Sequence, residues 1–397
     1  MAERAHEVPG FRFAGLAAGI KKTGLADLAL AVAEAPVACA AVFTENLVQA
    51  APVRIARERI AGGKIAAVLV NSGNANACTG KPGMDAALRS SAAIAEALGV
   101  PPEHVLPAST GVIGQLLPAE KIVTAAKPLV AALSESGSGD FARAIMTTDK
   151  AQKTAFRKVA IGGAEISVLG VAKGAGMIHP RMATTLAFVF TDANVSTALL
   201  KGALRMAADH SFNIATVDGE TSTNDMVLAM ASGKTGARIA DGSPDSTSFG
   251  RALAEVLREL AEQIVADGEG AEHVAEVIVS GTESDLDARI IAQRIATSLL
   301  VKTAMHGKDA NWGRILSAAG MAGVEFDPDE VSIAIDDVYI VREGLGLGPS
   351  AEGPAQKIMA GPRYSIRVEV GSGPGRASYL TCDIGHRYID VNAGYRS

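Results

Sequence analysis

The feature that most restricts how this chain can fold is a continuous apolar run, Ile65-Ala-Ala-Val-Leu-Val70. It is closed by Gly62-Gly63 on one side and Asn71-Ser72-Gly73 on the other. Branched residues without a polar break, fenced by turn formers, read as a strand buried in a core. Alanine-rich helical spacing follows from Met84 to Leu98, and similar strands are expected over Ile166 to Val171, Leu186 to Phe190 and Val331 to Ile335. Phe249, Leu253, Leu257, Leu260 and Ile264 recur at steps of three or four with Arg and Glu between them, which predicts a helix from Phe249 to Val265. A second helix is expected from Ala288 to Met305. Ser134 to Asp140, Gly233 to Ser248 and the Gly/Pro-rich Gly344 to Pro362 read as connectors. Strands and helices mix without strict βαβ alternation, which favours a layered α/β or α+β body over a doubly wound nucleotide-binding sheet.

Composition narrows the function classes. With 48% hydrophobic residues over 397 positions the chain has ample material for a core, as two or three domains or one large α/β body, and is not intrinsically disordered. Its formal charge of −6, with no basic run interleaved with aromatics, argues against a nucleic-acid surface. The most apolar stretch, Leu28 to Phe43, is broken by Glu34 and Pro36 and is too short to span a bilayer. The first residues lack a signal-peptide pattern. Three cysteines (Cys39, Cys78, Cys382) at no metal-ligand spacing read as reduced, buried thiols, and the chain is expected to be cytoplasmic or in an equally reducing compartment.

Glycine at 42 copies invites phosphate-loop readings, and each fails. Gly174-Ala-Gly176 meets His179 where the dinucleotide fingerprint needs its third glycine, and Gly344-Leu-Gly346-Leu-Gly348 meets Pro349. Gly80-Lys81 has alanine at position 75 and Pro82 in place of the hydroxyl residue of a Walker loop. No Gly-x-Ser-x-Gly elbow and no His-Glu-x-x-His is present. The seven histidines are scattered and read as structural or surface groups.

Lys173 to Val189 reads Lys-Gly-Ala-Gly-Met-Ile-His-Pro-Arg-Met-Ala-Thr-Thr-Leu-Ala-Phe-Val. On its own this is a glycine-containing, turn-prone loop entering a strand, with Thr184 and Thr185 favoured by β propensity. The segment also resembles the self-cleaving Met-Ala-Thr-x-Leu junction of the ornithine acetyltransferase family, the glutamate N-acetyltransferases of arginine biosynthesis. Further matching blocks are Asn71-Ser-Gly-Asn-Ala-Asn-Ala77, Ala108-Ser-Thr-Gly-Val-Ile-Gly114, Met146-Thr-Thr-Asp149, Thr221-Ser-Thr-Asn-Asp225 and Gly307-Lys-Asp-Ala-Asn-Trp-Gly-Arg314, so the likeness covers nearly the whole chain.

The resemblance implies a precursor that cuts itself between Ala183 and Thr184 into chains 1–183 and 184–397, which stay associated. Thr184 becomes the nucleophile, its new α-amine (ordinary pKa about 7.7–8.0) serving as base. It places oxyanion stabilisation on Thr110 and Gly111, and substrate binding on Thr147, Lys173, Thr184, Glu269, Asn392 and Ser397, with Thr148 a neighbouring alternative to Thr147. The implied reaction moves acetyl from N2-acetylornithine to glutamate by a ping-pong route, with acetyl-CoA a second donor in some family members and no metal or bound cofactor. A self-processing amidase or aminopeptidase with water as acceptor is the alternative, and an unprocessed amino-acid-binding protein a third reading. The implied fold is a layered α/β architecture of the self-processing, aminopeptidase-like type, not a Rossmann fold, in an α2β2 assembly without nucleic acid or membrane. Two departures stand out. Glu272-His273 follows Gly-Glu-Gly-Ala where the family commonly has Thr-Lys, and Glu220 stands where aspartate is usual.

Overall fold

In the computed structural model, which describes residues 6–179, 185–236 and 238–394, the described residues divide into two compact units, each built on its own sheet. The expected division at Ala183/Thr184 is a cut in the chain, and both residues lie outside the described set, as does Ser397.

The first unit takes described residues within 6–174, 185–213 and 221–264. Its strands are β1 (Phe11–Leu16), β2 (Leu28–Phe43), β3 (Lys64–Asn74), β4 (Val105–Val112), β5 (Lys153–Ile161), β6 (Ala164–Lys173), β7 (Leu186–Thr191) and β8 (Met226–Ala231). The helices are α1 (Ala51–Ile60), α2 (Gly80–Leu98), α3 (Ala119–Ala131), α4 (Ser138–Ile145), α5 (Thr197–Asp209) and α6 (Pro244–Ala266), the last two residues of α6 belonging to the second unit. Strand order is β4-β3-β2-β8-β7-β6-β5, with β1 also on β2. The stretch that Glu34 and Pro36 interrupt becomes one 16-residue strand. Its pairing with β3 breaks between Val32 and Val37, where Pro36 has no N–H to give to a ladder. Before that bulge β2 lies between β1 and β3, and after it β2 pairs with β8.

Alternation along the strands buries both faces. On one face Ala29, Ala31, Val68 and Val70 join Phe13, Phe141, Phe188 and Phe190. The rings of Phe13 and Phe190, from β1 and β7, meet edge to face at 4.9 Å. On the other face Leu28, Leu30, Ala67 and Leu69 pack with Ile94 of α2 and Ile122 and Leu129 of α3. Gly170 of β6 lies under α6, where a Cβ would sit 2.5 Å from Val256. Parallel pairing is confined to β3–β4 and β7–β8 in this sheet, so the arrangement is layered and not a Rossmann sheet.

The second unit, described residues within 175–179, 214–220 and 265–394, carries β9 (Val274–Gly281), β10 (Ser332–Ile335), β11 (Val338–Arg342), β12 (Leu345–Gly346), β13 (Arg363–Glu369) and β14 (Gly373–Cys382), in the order β12-β11-β10-β13-β9-β14. Its helices are α7 (Asp285–Ala296), α8 (Leu299–His306), α9 (Trp312–Gly320), α10 (Pro349–Met359) and α11 (His386–Ala393). Ile291 and Ile295 of α7 pack with Val277, Ile333, Ile366 and Tyr379 in its core.

Several sequence expectations need correction. The helix expected over Ala288 to Met305 is two helices, because Ser298 leaves helical geometry and its hydroxyl caps α8 by accepting the Val301 N–H. The connector Gly344 to Pro362 contains α10, started by Pro349 at its first turn and held by Ala355 and Met359, which bury one face against the core. The connectors Ser134 to Asp140 and Gly233 to Ser248 each run into a helix, at Ser138 and Pro244. Cys39 and Cys382 are buried free thiols, but Cys78 is exposed.

Candidate active site

Three of the sequence blocks meet at the ends of β3 and β4 in the first unit. Ser109 Oγ donates to Asn71 Oδ1 at 2.6 Å, and Asn71 Nδ2 donates to the Asn74 carbonyl at 2.8 Å. Asn224 Nδ2 donates to the carbonyls of Ala75 and Ser109 at 2.6 and 2.8 Å. All these side chains are buried, so each polar atom must find a partner inside the protein. The network fixes where β4 ends, and the candidate oxyanion pair Thr110-Gly111 stands there. Gly111 pairs with Gly73 of β3 at a φ of 131°, and a Cβ at Gly111 would lie 2.3 Å from the Gly73 carbonyl carbon. Only glycine lets the two backbones approach so closely.

Lys173, the last residue of β6, donates from Nζ to Thr110 Oγ1 at 3.2 Å. Two candidate residues far apart in sequence are thus in contact, and the lysine leaves the Thr110 hydroxyl proton free to point elsewhere. Behind Lys173 lies the carboxylate that ends the Met146-Thr-Thr-Asp149 block, to which the sequence assigns no role. Asp149 is wholly buried, with Oδ1 accepting from Lys153 Nζ and the Gly174 N–H, both at 2.7 Å, and Oδ2 accepting from the Thr147 N–H at 2.8 Å. Burial pushes its pKa up, but the Lys173 and Lys153 charges and these hydrogen bonds outweigh that and hold it below the ordinary carboxylate range. Thr147 therefore enters the cluster through its backbone. Lys21 Nζ reaches the carbonyls of Ala26 and Met146 at 2.8 Å, closing the cluster from β1's side of the chain.

Asp225, also fully buried, receives the Thr185 N–H. Burial raises its pKa well above the ordinary value against the opposing charge of Lys173 and these hydrogen bonds. Its Oδ2, like Thr185 Oγ1, has no hydrogen-bond partner among the described residues. Strand β7 then begins at Leu186, opposite Lys173 in the β6–β7 register. The residues 183/184 accordingly lie in the connection between two adjacent, paired strands.

The remaining candidates belong to the second unit. Glu269 is buried, its N–H donating to the Ala175 carbonyl at 2.8 Å and its Oε2 accepting from Asn392 Nδ2 at 2.8 Å. Gly176 makes room for that carboxylate, since a Cβ there would lie 2.3 Å from Oε2. Asp218 grips the segment that leads toward the junction, accepting the N–H groups of Met177 and Ile178 at 2.5 and 2.9 Å. Burial raises its pKa against those donors. Tyr388 of α11 donates to Asp218 Oδ2 at 3.3 Å.

The departure at Glu272-His273 is absorbed structurally. Both backbone N–H groups donate to Asp383 Oδ1 at 2.8 Å, the Glu272 side chain is exposed, and His273 Nδ1 pairs with the Gly361 carbonyl. Glu220 is exposed, its N–H on Asp218. The block Gly307 to Arg314 joins α8 to α9, with Asn311 capping α9, and contributes nothing to either cluster of candidates. Among the described residues no group of three His, Cys, Asp or Glu side chains is placed to hold a metal ion.

Comparison with known proteins adds the family context. The ArgJ family model matches residues 12–397. An arginine biosynthesis bifunctional protein ArgJ of Syntrophotalea carbinolica is 48% identical over 393 residues, covering 98% of this chain and 100% of the relative. Its counterpart in Geobacter sulfurreducens is 46% identical over 391 residues, with 98% and 100% covered. Among solved structures, the arginine biosynthesis bifunctional protein ArgJ of Bacillus halodurans is 40% identical, with a TM-score of 0.50 over 52% of this chain and 98% of that one.

Proposed function

Because this chain belongs to the ArgJ family, we propose that its acetyl transfer runs through Thr184, freed as an N-terminal residue by self-cleavage after Ala183. The protein is an acetyltransferase of arginine biosynthesis, a glutamate N-acetyltransferase of the bifunctional kind. The finer steps follow from the chemistry of the residues named above.

In the precursor, Thr184 Oγ adds to the Ala183 carbonyl carbon. The C–N bond breaks, and the acyl group passes to oxygen as the nitrogen takes up a proton. Water opens the ester, leaving the Ala183 carboxylate and a Thr184 whose α-amine sits beside its own hydroxyl. One observation carries this reading: β6 and β7 are hydrogen-bonded neighbours on either side of the junction, with Lys173 opposite Leu186. A cut between them leaves both strands in the sheet. Strand β8, also from after the junction, stays paired with β2 from before it. Chains 1–183 and 184–397 therefore share one core and remain associated; the family resemblance adds that two such pairs form an α2β2 assembly.

In the transferase, the α-amine takes the Thr184 hydroxyl proton as Oγ attacks the acetyl carbonyl of N2-acetylornithine. The oxyanion that develops is met by Thr110 and the Gly111 backbone, a contribution of roughly 3–4 kcal/mol for a well-placed donor. Ornithine leaves with the proton, and acetyl remains as an ester on Thr184. The α-amine of glutamate then attacks that ester to give N-acetylglutamate. Acetyl-CoA enters at the first step as the alternative donor, as the family resemblance implies for some members. Lys173, Thr147, Glu269, Asn392 and Ser397 bind the charged ends of the amino-acid substrates, the buried Glu269 carboxylate suiting an ammonium. No metal or bound cofactor takes part, and the enzyme works in the cytoplasm; among the described residues no helix is long and apolar enough to cross a membrane.

Ornithine release with and without glutamate tests the route. Turnover from N2-acetylornithine that needs glutamate, after a single glutamate-independent burst of ornithine, is expected. Sustained release indifferent to glutamate makes water the acceptor and the protein an amidase.

A further inference from the structure

The acyl site has a charged group beneath it that none of its proposed roles uses. The Asp149 side chain makes no hydrogen bond to Thr110, yet its two oxygens hold the backbone of two separate segments of the site. Oδ1 takes the Gly174 N–H at 2.7 Å, next to Lys173, and Oδ2 takes the Thr147 N–H at 2.8 Å. Lys153 Nζ closes the cluster from below at 2.7 Å, with both side chains of the ion pair removed from water. Lys173 in turn reaches Thr110 Oγ1 at 3.2 Å.

We propose that Asp149 is the positioning residue of the acyl site: by anchoring Gly174 and Thr147 with one buried carboxylate, it fixes Lys173 against Thr110 and so aims the Thr110 hydroxyl proton at the oxyanion. A hydroxyl that accepts a hydrogen bond from an ammonium is polarised toward donating its own proton, and the ammonium brings positive charge to the site where negative charge develops. The carboxylate is needed twice. It pins the turn after β6, and it balances two lysines that would otherwise repel each other across a buried space. Lys173 thereby acts on the reaction through Thr110 as well as on the substrate.

This inference rests on the acyl-transfer reading above, and its test separates the two. Asp149→Asn alone would strand the buried Lys153 charge and can fail for that reason. The informative protein is therefore the full-length double variant Asp149→Asn/Lys153→Met, in which both buried charges go together, with Lys153→Met as control. Circular dichroism and gel filtration establish folding, and intact mass follows acetylation of chain 184–397 by N2-acetylornithine in a single turnover. The double variant is expected to be folded, with kcat down about 10- to 100-fold and KM changed by less than about threefold. Lys153→Met should stay within about threefold of wild type in both, because Asp149 keeps its Gly174 and Thr147 contacts. Wild-type kcat in the double variant overturns the Asp149 assignment while leaving the acyl route standing. Failure of the wild type itself to take up acetyl overturns the acyl route, and the assignment with it.

Discussion

Gly111→Ala is the sharpest perturbation of the first unit's candidate site. The added methyl would lie 2.3 Å from the Gly73 carbonyl carbon, 2.5 Å from the Asn74 nitrogen and 2.7 Å from the Gly73 Cα. All three are backbone atoms of a paired strand, so no side chain can swing away and β3 and β4 must part. Overpacking of this kind costs about 1–3 kcal/mol. The φ of 131° adds a conformational penalty of about 1–3 kcal/mol for a residue with a Cβ. Gly114→Ala is the internal control: its φ is 82°, but nothing lies within 4 Å of the new methyl, so only the conformational penalty of about 1–2 kcal/mol applies. Urea unfolding of both variants, read alongside steady-state turnover of N2-acetylornithine, measures the difference. Gly111→Ala should lose at least about 1 kcal/mol more than Gly114→Ala, with turnover down about 100-fold as Thr110 is displaced. Equal stability loss in the two variants, or wild-type turnover in Gly111→Ala, refutes the claim that close strand approach sets the Thr110 position.

Two further outcomes follow from buried carboxylates. The Asp225 carboxyl titrates well above its ordinary value of 3.8 because it is buried, so the folded chain keeps a proton that the unfolded chain releases. Stability from this group is then complete below 3.8 and declines as pH rises through the folded value. Asp225→Asn removes that decline, and thermal unfolding from about pH 4 to about pH 8 should move steadily in the variant's favour; a pH-independent gap contradicts the assignment. Gly176→Ala places a methyl 2.3 Å from Glu269 Oε2, the end of a side chain that can rotate away. It should cost little stability but raise the KM for N2-acetylornithine about tenfold or more, and an unchanged KM removes Glu269 from substrate binding.

Much of the first unit was legible in the chain. The run at Ile65 to Val70 is the heart of β3, and the periodicity from Phe249 fixes α6 to within a few residues. Failures cluster where tertiary context overrides local signals. Ser298 sits inside an apolar, helix-like stretch, and only its hydroxyl on the Val301 N–H turns one helix into two. Pro354 and three neighbouring glycines hide α10, which survives because Ala355 and Met359 find a sheet to cover. Leu28 to Phe43, too short and broken for a membrane span, is the strand on which the first sheet bends. Asp149 illustrates a deeper limit. Lys153 is one helical turn away in sequence, but Gly174 is 25 residues off, and nothing local announces that one carboxylate serves both. Conversely, family resemblance points to Thr110 and Lys173 separately, and it is the fold that brings the lysine Nζ to 3.2 Å from the Thr110 hydroxyl.

The central claim is that a cut after Ala183 creates the catalytic group, and the intact mass of the purified protein tests it most directly. Wild type should give two species, residues 1–183 and 184–397, and brief exposure to N2-acetylornithine should add one acetyl group to the second alone. Thr184→Ala should give one uncut chain that takes up no acetyl. An uncut wild-type chain that still moves acetyl to glutamate would contradict the account at its foundation.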